Sequence, residues 1–111
     1  MQKDCIFCKI VAGEIPSEKV LETEHCIVIK DINPQAPIHL LVITKEHYHD
    51  ITHLDDKEVA ADIIHAINET AKKLDLKDFR VVNNRGPGAG QSVFHVHFHI
   101  LAGRPFAWPP G

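Results

Sequence analysis

Three histidines alternating with bulky apolar residues, in FHVHFHIL over 94–101, carry the densest chemistry in this chain. Side chains alternate across a strand, so His95, His97 and His99 are expected on one face and Val96, Phe98 and Ile100 on the other. Neighbouring imidazoles in such a row stand about 7 Å apart along the strand. The row can hold a metal, run nucleophilic and acid–base chemistry at phosphorus, or form a polar face with no chemistry. Strict alternation of three favours the first two. A neutral imidazole is a competent nucleophile near neutrality, its ordinary pKa being about 6.5. Attack by the central His97 would give a covalent P–N adduct that water can later break. A backbone carbonyl accepting from one ring nitrogen would fix the tautomer and aim the other at phosphorus.

The loop before this row adds weight to phosphorus. NRGPGAGQS (84–92) holds Gly86, Gly88 and Gly90, which let backbone approach a ligand and turn its N–H groups towards an anion. It is not a P-loop, because no Gly-Lys-Ser/Thr follows and the next element is a strand. A flexible connection between two strands would use the same glycines. Ser92 lies three residues before His95.

Two further groups stand out. Cys5 and Cys8 form C-x-x-C, and His47 and His49 follow an apolar stretch. Two thiolates and two imidazoles are a standard zinc set, and this spacing lets both sulfurs reach one ion. Buried cysteines without metal are the plain alternative, and no βαβ pattern supports a redox dithiol. Cys26, alone within a strand, is expected to pack in the core. Asp31 suits turn initiation before Ile-Asn-Pro, and one carboxylate can also accept from both hydroxyls of a ribose.

The elements that must position these residues read as follows. Cys5–Ala12 is a short helix closed by Gly13. Lys19–Thr23 and Cys26–Asp31 form a hairpin pair, NPQAP (33–37) is a turn or extended loop, and Ile38–Thr44 is a buried central strand. Asp55–Leu74 is the one long helix, with Val59, Ile63, Ile64, Ile67, Ala71 and Leu74 as its apolar stripe. Asp55 or Asp56 can cap its start, and Lys72 and Lys73 suit its end. Phe79–Asn83 is a fourth strand and the histidine row a fifth. The expected fold class is therefore α+β, a mainly antiparallel five-stranded sheet with one long and one short N-terminal helix. A single domain over 1–111 is expected, with 104–111 as a proline-rich tail that cannot continue a central strand.

The totals exclude several classes. The chain has 111 residues, 44% hydrophobic and 24% charged, the composition of an ordinary soluble domain. No apolar run approaches the roughly 20 residues that span a bilayer, so no membrane partner is expected. A formal charge of −3 argues against a nucleic-acid partner. MQKDCIFCKI has no long apolar region, so no signal peptide is expected. Three cysteines cannot all pair within the chain, and a reducing, cytoplasmic setting follows.

QSVFHVHFHIL resembles the His-φ-His-φ-His-φ-φ signature of the histidine-triad (HIT) superfamily, φ being apolar. CIFCKIVAGEIPS, DINPQAP with IHLLVITKEH, VVNNRG with GAGQSV, and the WPPG end are similar to the Hint branch, the histidine-triad nucleotide-binding proteins. The resemblance implies a homodimer whose sheets join, and hydrolysis of purine nucleoside 5′-phosphoramidates such as adenosine 5′-monophosphoramidate and lysyl-AMP adducts. It implies His97 as nucleophile, with His99 and His39 contacting the phosphate or supporting the nucleophile. It places Ser92 near the leaving amine and Asn83 at the phosphate site. Asp31 would take the ribose hydroxyls, and Phe7, Ile10 and Ile32 would line the base pocket. Zinc-carrying members imply Cys5, Cys8, His47 and His95 as ligands of a structural ion, with no cofactor in the chemistry. Competing readings are a dinucleoside polyphosphate hydrolase or nucleotidyl transferase, a nucleotide-binding scaffold, and a zinc hydrolase ligated by His95, His97 and His99 together.

Overall fold

The computed structural model describes residues 4–111; residues 1–3, the first of the domain expected over 1–111, lie outside the described residues. Chain order is α1 (Ile6–Val11), β1 (Lys19–Glu22), β2 (Cys26–Lys30), β3 (Ile38–Thr44), α2 (Lys57–Lys73), β4 (Phe79–Val82) and β5 (His97–Ala102). The strands form one five-stranded sheet in the order β1-β2-β3-β5-β4. Every neighbouring pair is antiparallel. The expected α+β class and five strands are the fold observed.

Helix α2 covers one face of the sheet. Val59, Ile63, Ala66, Ile67 and Thr70 form its buried stripe, packed on Cys26, Val28, Leu40, Val42 and Ile100. Cys26 lies in that core, as its lone position implied. The Asp56 side chain is the N-cap, accepting from the amides of Glu58 and Val59 at 2.9 and 3.3 Å; such a cap contributes about 1 kcal/mol. Two members of the expected stripe do not belong to it: Ile64 and Leu74 are exposed. Each residue turns the helix by 100°, so Ile64 leaves the face that Ile63 and Ile67 share, and Leu74 stands at the C-cap.

The opposite face carries Ile27, Ile29, Leu41 and Ile43, capped at one end by Phe7 of α1. Register decides which histidines join it. His97 lies opposite Ile43, His99 opposite Leu41, and His39 opposite Leu101. Residues directly opposite in a ladder share a face, so His39, His97 and His99 stand on the side away from α2.

The histidine strand is shorter than its alternation implied, because β5 begins at His97. The last ladder pair is Ile43 with His97. Beyond it the Val96 amide donates to the Tyr48 carbonyl at 2.7 Å, and the Thr44 carbonyl is taken by a side chain. His95 thus sits in a bend, off the strand. The expected Ile38–Thr44 strand is observed with its bounds unchanged, and the other expected spans lose terminal residues. Thr23 turns back through its amide to the Cys26 carbonyl at 2.9 Å. Asp31 and Asn83 lie just past β2 and β4. Gly13 adopts φ +79°, the left-handed conformation expected after α1.

Candidate active site

A cavity of about 430 Å³ opens on the face away from α2. One wall is apolar and comes from α1: Ile6, Phe7 and Ile10. The opposite wall carries Asp31, Ile32 and Asn33, and the floor His39, His97 and His99, with Ser92 at the end of the glycine loop. Ile32 is almost wholly exposed beside the opening.

Fixed backbone partners settle which nitrogen of each imidazole bears the proton. The Gln35 amide donates to His39 Nδ1 at 2.9 Å, so His39 carries its proton on Nε2. That Nε2–H donates to His99 Nδ1 at 2.8 Å and lies 3.4 Å from an Asp31 oxygen. His99 therefore carries its own proton on Nε2. His97 Nδ1–H donates to the His95 carbonyl at 2.8 Å, which leaves the lone pair on Nε2. Burial pushes His99 down to about 4, with His97 and His39 adding to the shift. Burial also holds His97 and His39 below the usual imidazole range. All three are neutral at pH 7: a relay of donors ends on His99, and beside it stands a nucleophilic nitrogen.

Supporting contacts explain why the site holds its shape. The Asn83 carboxamide donates to the His97 carbonyl at 2.9 Å, so Asn83 braces the strand that carries His97 and does not line the cavity. Asp31 accepts from the Asn33 amide at 2.8 Å. It thus makes the turn its position suggested and also faces the cavity.

Four amides of the glycine loop are spent within the loop itself. The amides of Ala89 and Gln91 donate to the Gly86 carbonyl, and that of Gly90 to Pro87. The Gly86 amide donates to the Gln91 side chain at 2.8 Å. Gly86 and Gly90 are there for their positive φ of 90° and 100°. Gln91, which sequence reasoning did not single out, is buried and also donates to the carbonyls of His49 and Val93. A polar residue in a loop gives no sequence signal of burial.

A second cluster lies beside the first. The ligand atoms of Cys5, Cys8, His47 and His95 all lie within 4.8 Å of one another. His95 Nε2–H donates to the Thr44 carbonyl at 2.7 Å. That turns its Nδ1 to Cys5 Sγ at 3.2 Å and Cys8 Sγ at 3.5 Å. His47 Nδ1 is 3.4 Å from Cys8 Sγ. Ligands of tetrahedral zinc stand about 3.3–3.8 Å apart, so the donor set and its spacing fit zinc. Burial lowers His95 to about 4, leaving its Nδ1 unprotonated at pH 7. His49 does not join this set; it and His53 donate to the Asp50 carboxylate, which also takes Thr52 and Arg85. Nor do the three triad imidazoles converge on one point: His95 groups with the thiols, His99 with His39 and Asp31.

Comparison with known proteins agrees with this arrangement. The HIT domain family model matches residues 12–106. An uncharacterized HIT-like protein of Synechocystis is 44% identical, with all of both chains covered. A histidine triad protein from Clostridium difficile has a similar structure, with TM-score 0.91 and 44% identity over 96% of each chain. A HIT family hydrolase from Legionella pneumophila matches at TM-score 0.91 and 42% identity, over 97% of this chain and 100% of that one. The triad, the sheet that carries it and these likenesses coincide over nearly the whole length, and the chain belongs to the HIT domain family.

Proposed function

We propose that the protein is a Hint-type hydrolase of purine nucleoside 5′-phosphoramidates, acting through a nucleotidyl-histidine. The observation that carries this reading is His97, neutral, tautomer-fixed by the His95 carbonyl and lining the cavity next to the His99 donor. Similarity to a HIT family hydrolase supports the hydrolytic class.

The substrate phosphorus lies against His97 Nε2, with a phosphoryl oxygen accepting from His99 Nε2–H. The nucleobase rests on Phe7 and Ile10, and Asp31 takes the ribose hydroxyls. His97 Nε2 attacks phosphorus, the P–N bond to the amine breaks, and the amine leaves with a proton relayed from water through the Ser92 hydroxyl. The imidazole, with Nδ1–H held, becomes a cationic adduct that the His95 carbonyl stabilises. Water then attacks the same phosphorus and gives a proton back through Ser92 to the hydroxide left by the first step. The P–Nε2 bond breaks, its electron pair returns to Nε2, and the nucleoside monophosphate leaves with His97 neutral again. Protein groups and water supply the whole reaction. Zinc on Cys5, Cys8, His47 and His95 would be structural, with four protein ligands and no open position.

The reading extends to a homodimer joined through a sheet edge and the long helix, in a cytoplasmic setting. The outer edge of β4 and the exposed Val81 and Ile64 support that assembly; light scattering at micromolar concentration tests it. Among the described residues no helix is long and apolar enough to cross a membrane. The decisive experiment is intact-mass analysis after rapid quench with an adenosine phosphoramidate. A nucleotidyl adduct on His97 is expected, and turnover with no adduct at any quench time would overturn the mechanism.

A further inference from the structure

Helix α1 has six residues, about 9 Å of helix, far below the roughly 12–15 residues at which an isolated helix becomes even marginally stable. Two of the four metal-type ligands belong to it: Cys8, fully buried, and Cys5, whose sulfur caps it by accepting from the Cys8 amide at 3.3 Å. Between and after them come Ile6, Phe7 and Ile10, the apolar wall of the cavity. Phe7 meets His97 edge-on, with ring centroids 4.9 Å apart. The remaining ligands, His47 and His95, come from segments at the ends of β3 and β5. At the phosphate end of the cavity His39, His97 and His99 all stand on β3 and β5, with His39 bonded to His99, and α1 meets this end through the edge of Phe7 against His97.

We propose that the Cys5–Cys8–His47–His95 centre, loaded with zinc, sets nucleobase affinity by pinning α1 to the sheet as the wall of the cavity; this rests on the nucleotide-binding reading above. Removing the ion frees the wall and leaves the phosphate end standing, so the two halves of a nucleotide respond differently.

The test is calorimetric titration of the full chain with AMP and with ribose 5-phosphate, zinc-loaded and after chelation. Loss of metal is expected to weaken AMP by about tenfold, equivalent to giving up roughly 55 Å² of apolar contact. Ribose 5-phosphate should stay within about threefold. Amide exchange over residues 8–13 should rise in the same samples. His47→Ala, which changes no residue of α1 or β5, gives the same pattern should chelation unfold the chain. Unchanged AMP affinity, equal weakening of both ligands, or failure to take up zinc overturns the proposal. A zinc-loaded protein that binds neither ligand instead removes the nucleotide reading, and the proposal with it.

Discussion

His95 and His97 are two residues apart and are handled in opposite ways. Each gives one N–H to a backbone carbonyl, but His95 uses Nε2, towards Thr44, and His97 uses Nδ1, towards His95 itself. His95, itself fully buried, is left with Nδ1 free beside the thiols of Cys5 and Cys8. His97 is left with Nε2 free in an open cavity. Identical side chains thus offer a nitrogen to the thiol cluster in one case and to the cavity in the other, according to which nitrogen the backbone occupies. The bend that takes His95 off the strand makes this possible, since a straight row would present both rings alike.

The largest break in that comparison is His97→Ala. Losing a covalent nucleophile costs on the order of 10⁴-fold or more in kcat. The fold should persist, because the ring lines a cavity. AMP binding and the thermal midpoint measured beside turnover check both halves; residual activity above a few per cent would falsify the nucleophile assignment. At the other end, Cys5→Ala with Cys8→Ala should remove the metal and lower the thermal midpoint by about 10 °C or more, a few kcal/mol in a domain of this size. Metal analysis of the unsupplemented wild type should approach about one zinc per chain. Zinc retained by the double variant would return the C-x-x-C to simple packing.

A sharper cut falls within the cavity. Asp31, which lines the cavity, serves a turn through one oxygen and has the other 3.4 Å from His39 Nε2. Asp31→Asn should weaken ribonucleotide substrates by roughly 1.5–3 kcal/mol, the worth of hydrogen bonds to a charged group. Substrates lacking the 2′- and 3′-hydroxyls should be much less affected. Equal loss in kcat/KM for both kinds would leave Asp31 only its turn.

The difference between the two ends also marks how far the sequence was legible. Alternation along β5 and the 3.6-residue period of α2 are periodic signals, and both elements are found, although β5 starts only at His97 and leaves His95 in a bend. The stripe misassigned Ile64, because an apolar residue next to the buried face is indistinguishable by type from one on it. That a backbone carbonyl would fix the His97 tautomer was legible, and the His95 carbonyl does so; which groups set the rest of the relay was not. The relay depends on the Gln35 amide and the Thr44 and His95 carbonyls, groups every residue carries. Gly86 and Gly90 announced close backbone approach, yet what they approach is the loop itself. That assignment needs the partner of each amide, which composition does not contain.

The smallest effect concerns the relay. His99 is held down to about 4 by burial and by His97 and His39, with Asp31 the opposing charge. Its unfolded value is about 6.5. Between these values the unfolded chain binds a proton that folded His99 does not, so this residue makes stability rise with pH across that window. Below about pH 4 both states are protonated and the dependence stops; above about 6.5 both are neutral and the contribution is complete. His99→Gln keeps a polar side chain that cannot titrate. Its urea-unfolding free energy should therefore fall less steeply than the wild type's as pH drops from 6.5 to 4.5, with both proteins metal-loaded. Because His99 is only partly buried, solvent screens the effect and the difference in slope should be modest. Parallel curves would mean that protonated His99 finds compensation from Asp31, and the relay would then tolerate a charge that the neutral assignment forbids.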